Sequence, residues 1–107
     1  MAWHPASVST AATGASAAGA WVPAAVAGRA IVLIPINGAW VAIEDRCSHA
    51  GCAFSEDGEL DGTTVICGCH GSEFDIRTGK VLRSPAEHPI ATFATRVADG
   101  VVEVELP

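Results

Sequence analysis

A chain of 107 residues is long enough for one hydrophobic core and leaves no room for a second catalytic domain. Half of it is apolar, yet with three Trp, three Phe and no Tyr the core is light in aromatics, so a bound group would add to its stability. Twelve Asp and Glu against six Lys and Arg give a formal charge of −6. That balance argues against nucleic acid as a partner; it suits a protein with a basic docking patch, or serves solubility alone.

The first 28 residues carry no Asp, Glu, Lys or Arg. An export signal needs a basic start, whereas the first basic residue is Arg29. A spanning helix needs roughly twenty strongly apolar residues, and this stretch lacks Leu, Ile and Phe and is interrupted by Pro5, Gly14, Gly19 and Pro23. The expectation is a cytoplasmic protein with no membrane association. A short first strand is expected around Trp3, and residues 11–20, with Thr13, Gly14, Ser16 and Gly19, read as loop or irregular strand in preference to helix. Residues 21–26 read as a strand with Pro23 at an edge position, and residues 30–36 as a buried strand ending near Pro35. Asn37-Gly38 between two apolar runs predicts a hairpin, since both central residues must accept positive φ, and residues 39–43 then pair back on the preceding strand.

Asp61-Gly62 predicts a second hairpin between Leu60 and residues 63–66, and Thr78-Gly79 a third between residues 74–76 and 80–82. Beyond Ser84-Pro85, a strand over 90–97 turns at Asp99-Gly100 into a last strand over 101–106. There Val102, Val104 and Leu106 share one face and Glu103 and Glu105 the other, so one side is core and one solvent. Short strands at close spacing predict an all-β chain, a small antiparallel β-sandwich or barrel forming a single domain over 1–107.

Two segments depart from this alternation: Cys47-Ser48-His49-Ala50-Gly51-Cys52 and Cys67-Gly68-Cys69-His70-Gly71-Ser72. They hold all four cysteines and two of the four histidines. Each follows a strand end, so each is a tight loop able to approach a metal centre from its own side. Thiolate and imidazole together suit both zinc and iron–sulfur irons, and the donor types alone leave the two open. A structural zinc finger spaces like ligands in pairs. Here each half offers one of each, as C-x-H and C-x-x-H. That order is unusual for zinc and fits a [2Fe–2S] centre in which one iron takes both thiolates and the other both imidazoles. Ordinary buried or disulfide-bonded cysteines beside incidental histidines are the bland alternative.

At these residues the sequence resembles the Rieske family, whose C-x-H…C-x-x-H signature is complete as Cys47, His49, Cys67 and His70. Gly71, Phe74-Asp75, Thr78-Gly79-Lys80 and Ser84-Pro85-Ala86 look like the family's second cluster loop, the hairpin after it and its proline loop. The resemblance implies one [2Fe–2S] cluster per chain, held by a subdomain of two loops over about 45–86. Cys47 and Cys67 would bind the inner iron, and His49 and His70 the outer one, near the surface. Two thiolates leave such a site less negative than four would, so it accepts an electron more readily, with potentials of roughly −150 to +300 mV against about −400 mV for plant-type ferredoxins.

By the same resemblance, Cys52 and Cys69 match the cysteines that form a disulfide between the cluster loops in the high-potential branch. Two free buried thiols in a reducing cytosol are the alternative. Ser72 matches that branch's serine, a hydrogen-bond donor to a cluster sulfur, or else is a plain turn residue. Phe74 stands where the branch has tyrosine, which points to a low or intermediate potential. His4 and His88 read as solvated surface residues, and Asp45 and Arg46 as exposed loop charges before the first cysteine.

With no catalytic triad, phosphate loop or nucleotide-binding motif, the chain reads as an electron carrier and not an enzyme. It looks like the ferredoxin components of bacterial aromatic ring-hydroxylating dioxygenases. The resemblance implies two partners, a flavin-dependent reductase that supplies single electrons and a terminal Rieske oxygenase that receives them, both docking near His49 and His70. The rival readings are a Rieske subunit of a respiratory or oxidase complex, cytochrome bc-like or arsenite-oxidase-like, and a cluster-binding regulatory module of a larger enzyme.

Overall fold

The computed structural model describes residues 2–9, 21–36, 38–48, 51–69, 71–84 and 86–106, with the backbone alone for 7–9. Its strands are β1 (Ala2–Ser9), β2 (Val22–Val26), β3 (Arg29–Ile36), β4 (Ala39–Glu44), β5 (Glu59–Asp61), β6 (Thr64–Ile66), β7 (Glu73–Asp75), β8 (Val81–Arg83), β9 (Thr92–Phe93), β10 (Thr95–Ala98) and β11 (Val101–Leu106), and a single turn of helix, α1 (Phe54–Asp57), precedes β5. The all-β class is as expected. Two compact units result, one from residues 1–42 with 93–107 and one from residues 43–92, and the stretch 45–86 lies inside the second.

In the first unit, β11 lies between β1 and β10. Its period of two is visible as burial: Val102 and Val104 are fully buried and Leu106 nearly so, while Glu103 and Glu105 are half-buried. Asp99-Gly100 links Ala98 to its partner Val101 with both central φ values positive, 52° and 76°, as the hairpin signal required. The same geometry joins β2 to β3 through Ala27-Gly28, at 49° and 80°. Ala27 carries no turn signal of its own, so this hairpin was not foreseen.

β2 is the edge of a sheet ordered β2-β3-β4-β9, and Pro23 therefore costs no ladder bond that a central strand would need. Ile31 and Leu33 of β3 join Val26, Ala42, Val102, Val104 and Leu106 in one apolar cluster, with Trp40 and Phe93 against it. Val32 and Ile34, on the other face, are also fully buried. A strand covered on both sides accounts for the unbroken apolar run. Two expectations are corrected here. The first strand is eight residues long, not a short piece about Trp3, and the strand over 90–97 is divided. Ala94 separates β9, in the β4 sheet, from β10, in the β11 sheet, and its carbonyl accepts from Glu105 N–H at 2.9 Å.

In the second unit β5 to β8 form an antiparallel meander. Val65 and Phe74 face each other across β6 and β7, both fully buried, and Phe54 of α1 meets Phe74 edge to face at 5.8 Å between ring centroids. The β5–β6 turn is Gly62-Thr63, one residue later than expected, because Asp61 already pairs with Thr64. Carboxylate Oδ1 of Asp75 accepts from Arg77 N–H at 2.9 Å, which holds its pKa below the usual 3.8 and fixes the turn after β7.

Candidate metal centre

The two cysteine loops leave the ends of β4 and β6 and close in the same way. In the first, Cys47 N–H donates to Cys52 O at 2.8 Å and Gly51 N–H to Cys47 O at 2.9 Å. In the second, Cys67 N–H donates to Ser72 O at 2.8 Å and Gly71 N–H to Cys67 O at 3.0 Å. Each is thus a six-residue loop with cysteine first and, in fifth place, a glycine at φ of 74° or 79°, a conformation that side chains rarely adopt. The first-position thiols are withdrawn from solvent, Cys47 at 1% and Cys67 at 3% exposure.

Cys52 and Cys69 are joined in a disulfide that ties the first loop to the second, an arrangement compatible with the first of the two readings of that pair. Cys52 is half-buried and Cys69 exposed, whereas the alternative has both side chains buried. The sulfurs of Cys52, Cys67 and Cys69 lie within 4.8 Å of one another, but a disulfide sulfur is a poor ligand, so Cys67 is the member of that trio able to bind metal. His49 and His70 lie outside the described residues.

Several side chains hold the loops, and sequence reasoning missed most of them. The Asp45 carboxylate accepts from both Ser55 N–H, at 2.8 Å, and Ser55 Oγ–H, at 2.5 Å, tying the chain before the first loop to α1 after it. Ser48 Oγ donates to His88 O at 2.5 Å, and Glu44 Oε1 accepts from Ala91 N–H at 2.7 Å. His88 is exposed, as expected, whereas His4 is half-buried in β1. Ser72 Oγ accepts from Ala86 N–H at 3.0 Å. One serine from each loop therefore grips the segment 86–88.

A family profile described as Rieske [2Fe-2S] domain matches residues 7–94. The chain belongs to the Rieske [2Fe–2S] family. Among relatives of this Rieske domain is the ferredoxin component of the p-cumate 2,3-dioxygenase system of Pseudomonas putida, 40% identical over 79 residues, which are 74% of this chain and 67% of that one. The 3-phenylpropionate/cinnamic acid dioxygenase ferredoxin subunit of Escherichia coli (strain K12) is 39% identical over 77 residues, 72% of this chain and 73% of the relative. Among solved structures, a chain from a complex of reduced oxygenase and oxidized ferredoxin in carbazole 1,9a-dioxygenase superposes with a TM-score of 0.80 at 27% identity, covering 95% of this chain and 91% of its own. A ferredoxin of Sphingomonas yanoikuyae B1 gives 0.70 at 31% identity, over 79% and 85%. No described helix is long and apolar enough to cross a membrane.

The residues present fit the cluster that a Rieske domain binds. Two buried thiols head two matching loops, as a pair of ligands to one iron would have to. Ser72 adds a second indication. Its hydroxyl is fully buried and uses its oxygen to accept from Ala86 N–H, yet among the described residues nothing receives its proton. A buried O–H donor normally has an acceptor, and a cluster sulfur would supply one. Ser72→Ala should also leave Ala86 N–H buried and unpaired, at a cost of about 1–3 kcal/mol. Chemical denaturation of the cluster-loaded variant beside the parent protein measures it; equal midpoints would show that this bond does not matter.

Proposed function

We propose that Cys47 and Cys67 supply two thiolates, and His49 and His70 two imidazoles, to one [2Fe–2S] cluster per chain. The protein then carries single electrons from a flavin-dependent reductase to the terminal oxygenase of a multicomponent aromatic ring-hydroxylating dioxygenase in the cytoplasm. The similarity to proteins named as ferredoxin components of such systems carries this reading, at 39–40% identity over about three quarters of the chain. When bound, a cluster with this mixed ligation accepts and returns one electron.

The chain's own residues set the conditions for that exchange. Cys47 and Cys67 bring the negative charge in from buried positions, and the disulfide and the two serines fix the loops so that little rearrangement accompanies a change of charge. Ser72 offers a proton to a cluster sulfur, which favours the reduced state. Phe74 is fully buried without a hydroxyl and adds no second donor of that kind. The outcome is an intermediate potential, below that of carriers with both donors. His49 and His70 form the docking tip for both partners, and the acidic surface draws a basic face toward it.

The subunit of a respiratory or oxidase complex is the weaker reading, although the Cys52–Cys69 disulfide resembles that branch. The regulatory module has no observation in its favour. Dithionite reduction of the purified protein should produce a rhombic electron paramagnetic resonance signal with average g below the free-electron value. In a mixture of reductase, terminal oxygenase, aromatic substrate and oxygen, hydroxylated product should form only when this protein is added. An absent signal overturns the cluster assignment, and a signal without any dependence of product formation on the protein overturns the carrier role.

A further inference from the structure

Four of the five arginines are engaged. Arg77 pairs with Asp75 at 3.4 Å, Arg83 with Glu73 at 3.2 Å and Arg96 with Glu103 at 2.6 Å, while Arg29 lies over the Phe93 ring. Arg46, the residue before Cys47, is exposed and has neither carboxylate nor ring partner among the described residues. Its neighbour Asp45 forms no ion pair with it: both carboxylate oxygens accept from Ser55. The guanidinium lies instead on the first cluster loop. A methyl placed on Gly51 would meet Arg46 Nε at 3.2 Å, Nη2 at 3.3 Å and Cζ at 3.6 Å.

The second loop shows what is particular about this. Its backbone closes by the same two hydrogen bonds, but a methyl on Gly71 would find nothing within 4 Å, and the residue before Cys67 is Ile66. Two like loops thus differ in that one has a guanidinium against its fifth residue. The chain's net charge of −6 by itself opposes the arrival of an electron.

From this we infer that Arg46 is a charge-tuning residue, whose guanidinium raises the reduction potential of the cluster that the Cys47 loop holds. It touches none of the reacting atoms. A fixed positive charge on the loop stabilises the state with one more electron over the state without it, by the Coulomb energy that the loop's partly screened position allows. The inference rests on Cys47 being a cluster ligand.

Midpoint potentials of the intact protein and of Arg46→Lys, Arg46→Met and Arg46→Glu, taken by voltammetry, test it. Arg46→Met keeps an aliphatic cover on Gly51 and removes the charge. It should lower the equilibrium constant for electron uptake about tenfold, a fall of ~59 mV for one electron, with Arg46→Glu lower still and Arg46→Lys near the parent value. Raising the salt concentration should shrink the differences, since the charge is exposed. A midpoint unmoved in Arg46→Met and Arg46→Glu overturns the inference. So does an equal fall in Arg46→Lys and Arg46→Met, which would make the guanidinium's contacts with the loop and not its charge responsible. The resonance signal of each variant reports separately on the cluster, so a failure of the ligand assignment shows as its loss in the parent protein.

Discussion

Serine at position 67 should give a colourless protein without acid-labile sulfide, and serine at position 47 the same, whereas Cys52→Ser should keep the colour and shorten its lifetime. The reasoning separates the four cysteines by environment. Cys47 and Cys67 stand first in their loops at 1% and 3% exposure, and a serine hydroxyl there is a harder and less acidic ligand than the thiolate that iron–sulfur centres select. Cys52 and Cys69 are bonded to each other across a separation of 17 residues. Their bond stabilises the closed loops by about 3 kcal/mol in the chain-entropy model without contributing a ligand. Iron and sulfide analysis of the anaerobically purified variants distinguishes the pairs, and decay of the visible absorbance on warming measures the disulfide's part. Sulfide retained in Cys67→Ser, or lost from the outset in Cys52→Ser, would reverse the assignment.

What was readable in the sequence was what depends on neighbours along the chain. The alternation of Val102, Val104 and Leu106 against Glu103 and Glu105, and the Asp99-Gly100 turn, are local signals, and the fold obeys both. The cysteine loops stood out because their residue types are rare and closely spaced. The turn at Ala27 was hidden because alanine accepts φ of 49° only where the pairing of β2 with β3 demands it. α1, at four residues, is too short to show helical periodicity. The break at Ala94 depends on which sheet each side joins, and nothing at that residue announces it. The bonds of Ser48 to His88 and Ser72 to Ala86 span 40 and 14 residues and exist only once the chain has folded. The likeness of the two loops was masked by their contents, since histidine is third in one and fourth in the other; their backbone bonds reveal it.

Gly79→Ala is expected to be among the most damaging single-methyl changes in the second unit, and a matched control isolates the cause. Gly79 has φ of 79°, and a Cβ there would overlap the carbonyl oxygen of Ile90, whose own N–H donates to Gly79 O at 2.9 Å. Gly100 has nearly the same φ, 76°, but a Cβ there meets nothing within 4 Å. Alanine at either site bears the left-handed strain of about 1–2 kcal/mol, so Gly100→Ala should lose about that much. At position 79 the displaced group is backbone, and it cannot swing aside as a flexible side chain would. Overpacking of this kind adds about 1–3 kcal/mol, for a total of roughly 2–5 kcal/mol. The displacement also has a direction. Ala91, next to Ile90, exchanges hydrogen bonds with Glu44 through Glu44 N–H to Ala91 O at 3.0 Å and Ala91 N–H to Glu44 Oε1 at 2.7 Å, and Glu44 leads through Asp45 and Arg46 to Cys47. Gly79→Ala should therefore release iron faster than its loss of global stability alone requires, and Gly100→Ala should not. Denaturation midpoints and iron-release rates of the two variants decide the matter: equal stability would mean that Ile90 does not approach Gly79 as closely as described, and equal release rates would mean that its strain stops short of the first loop.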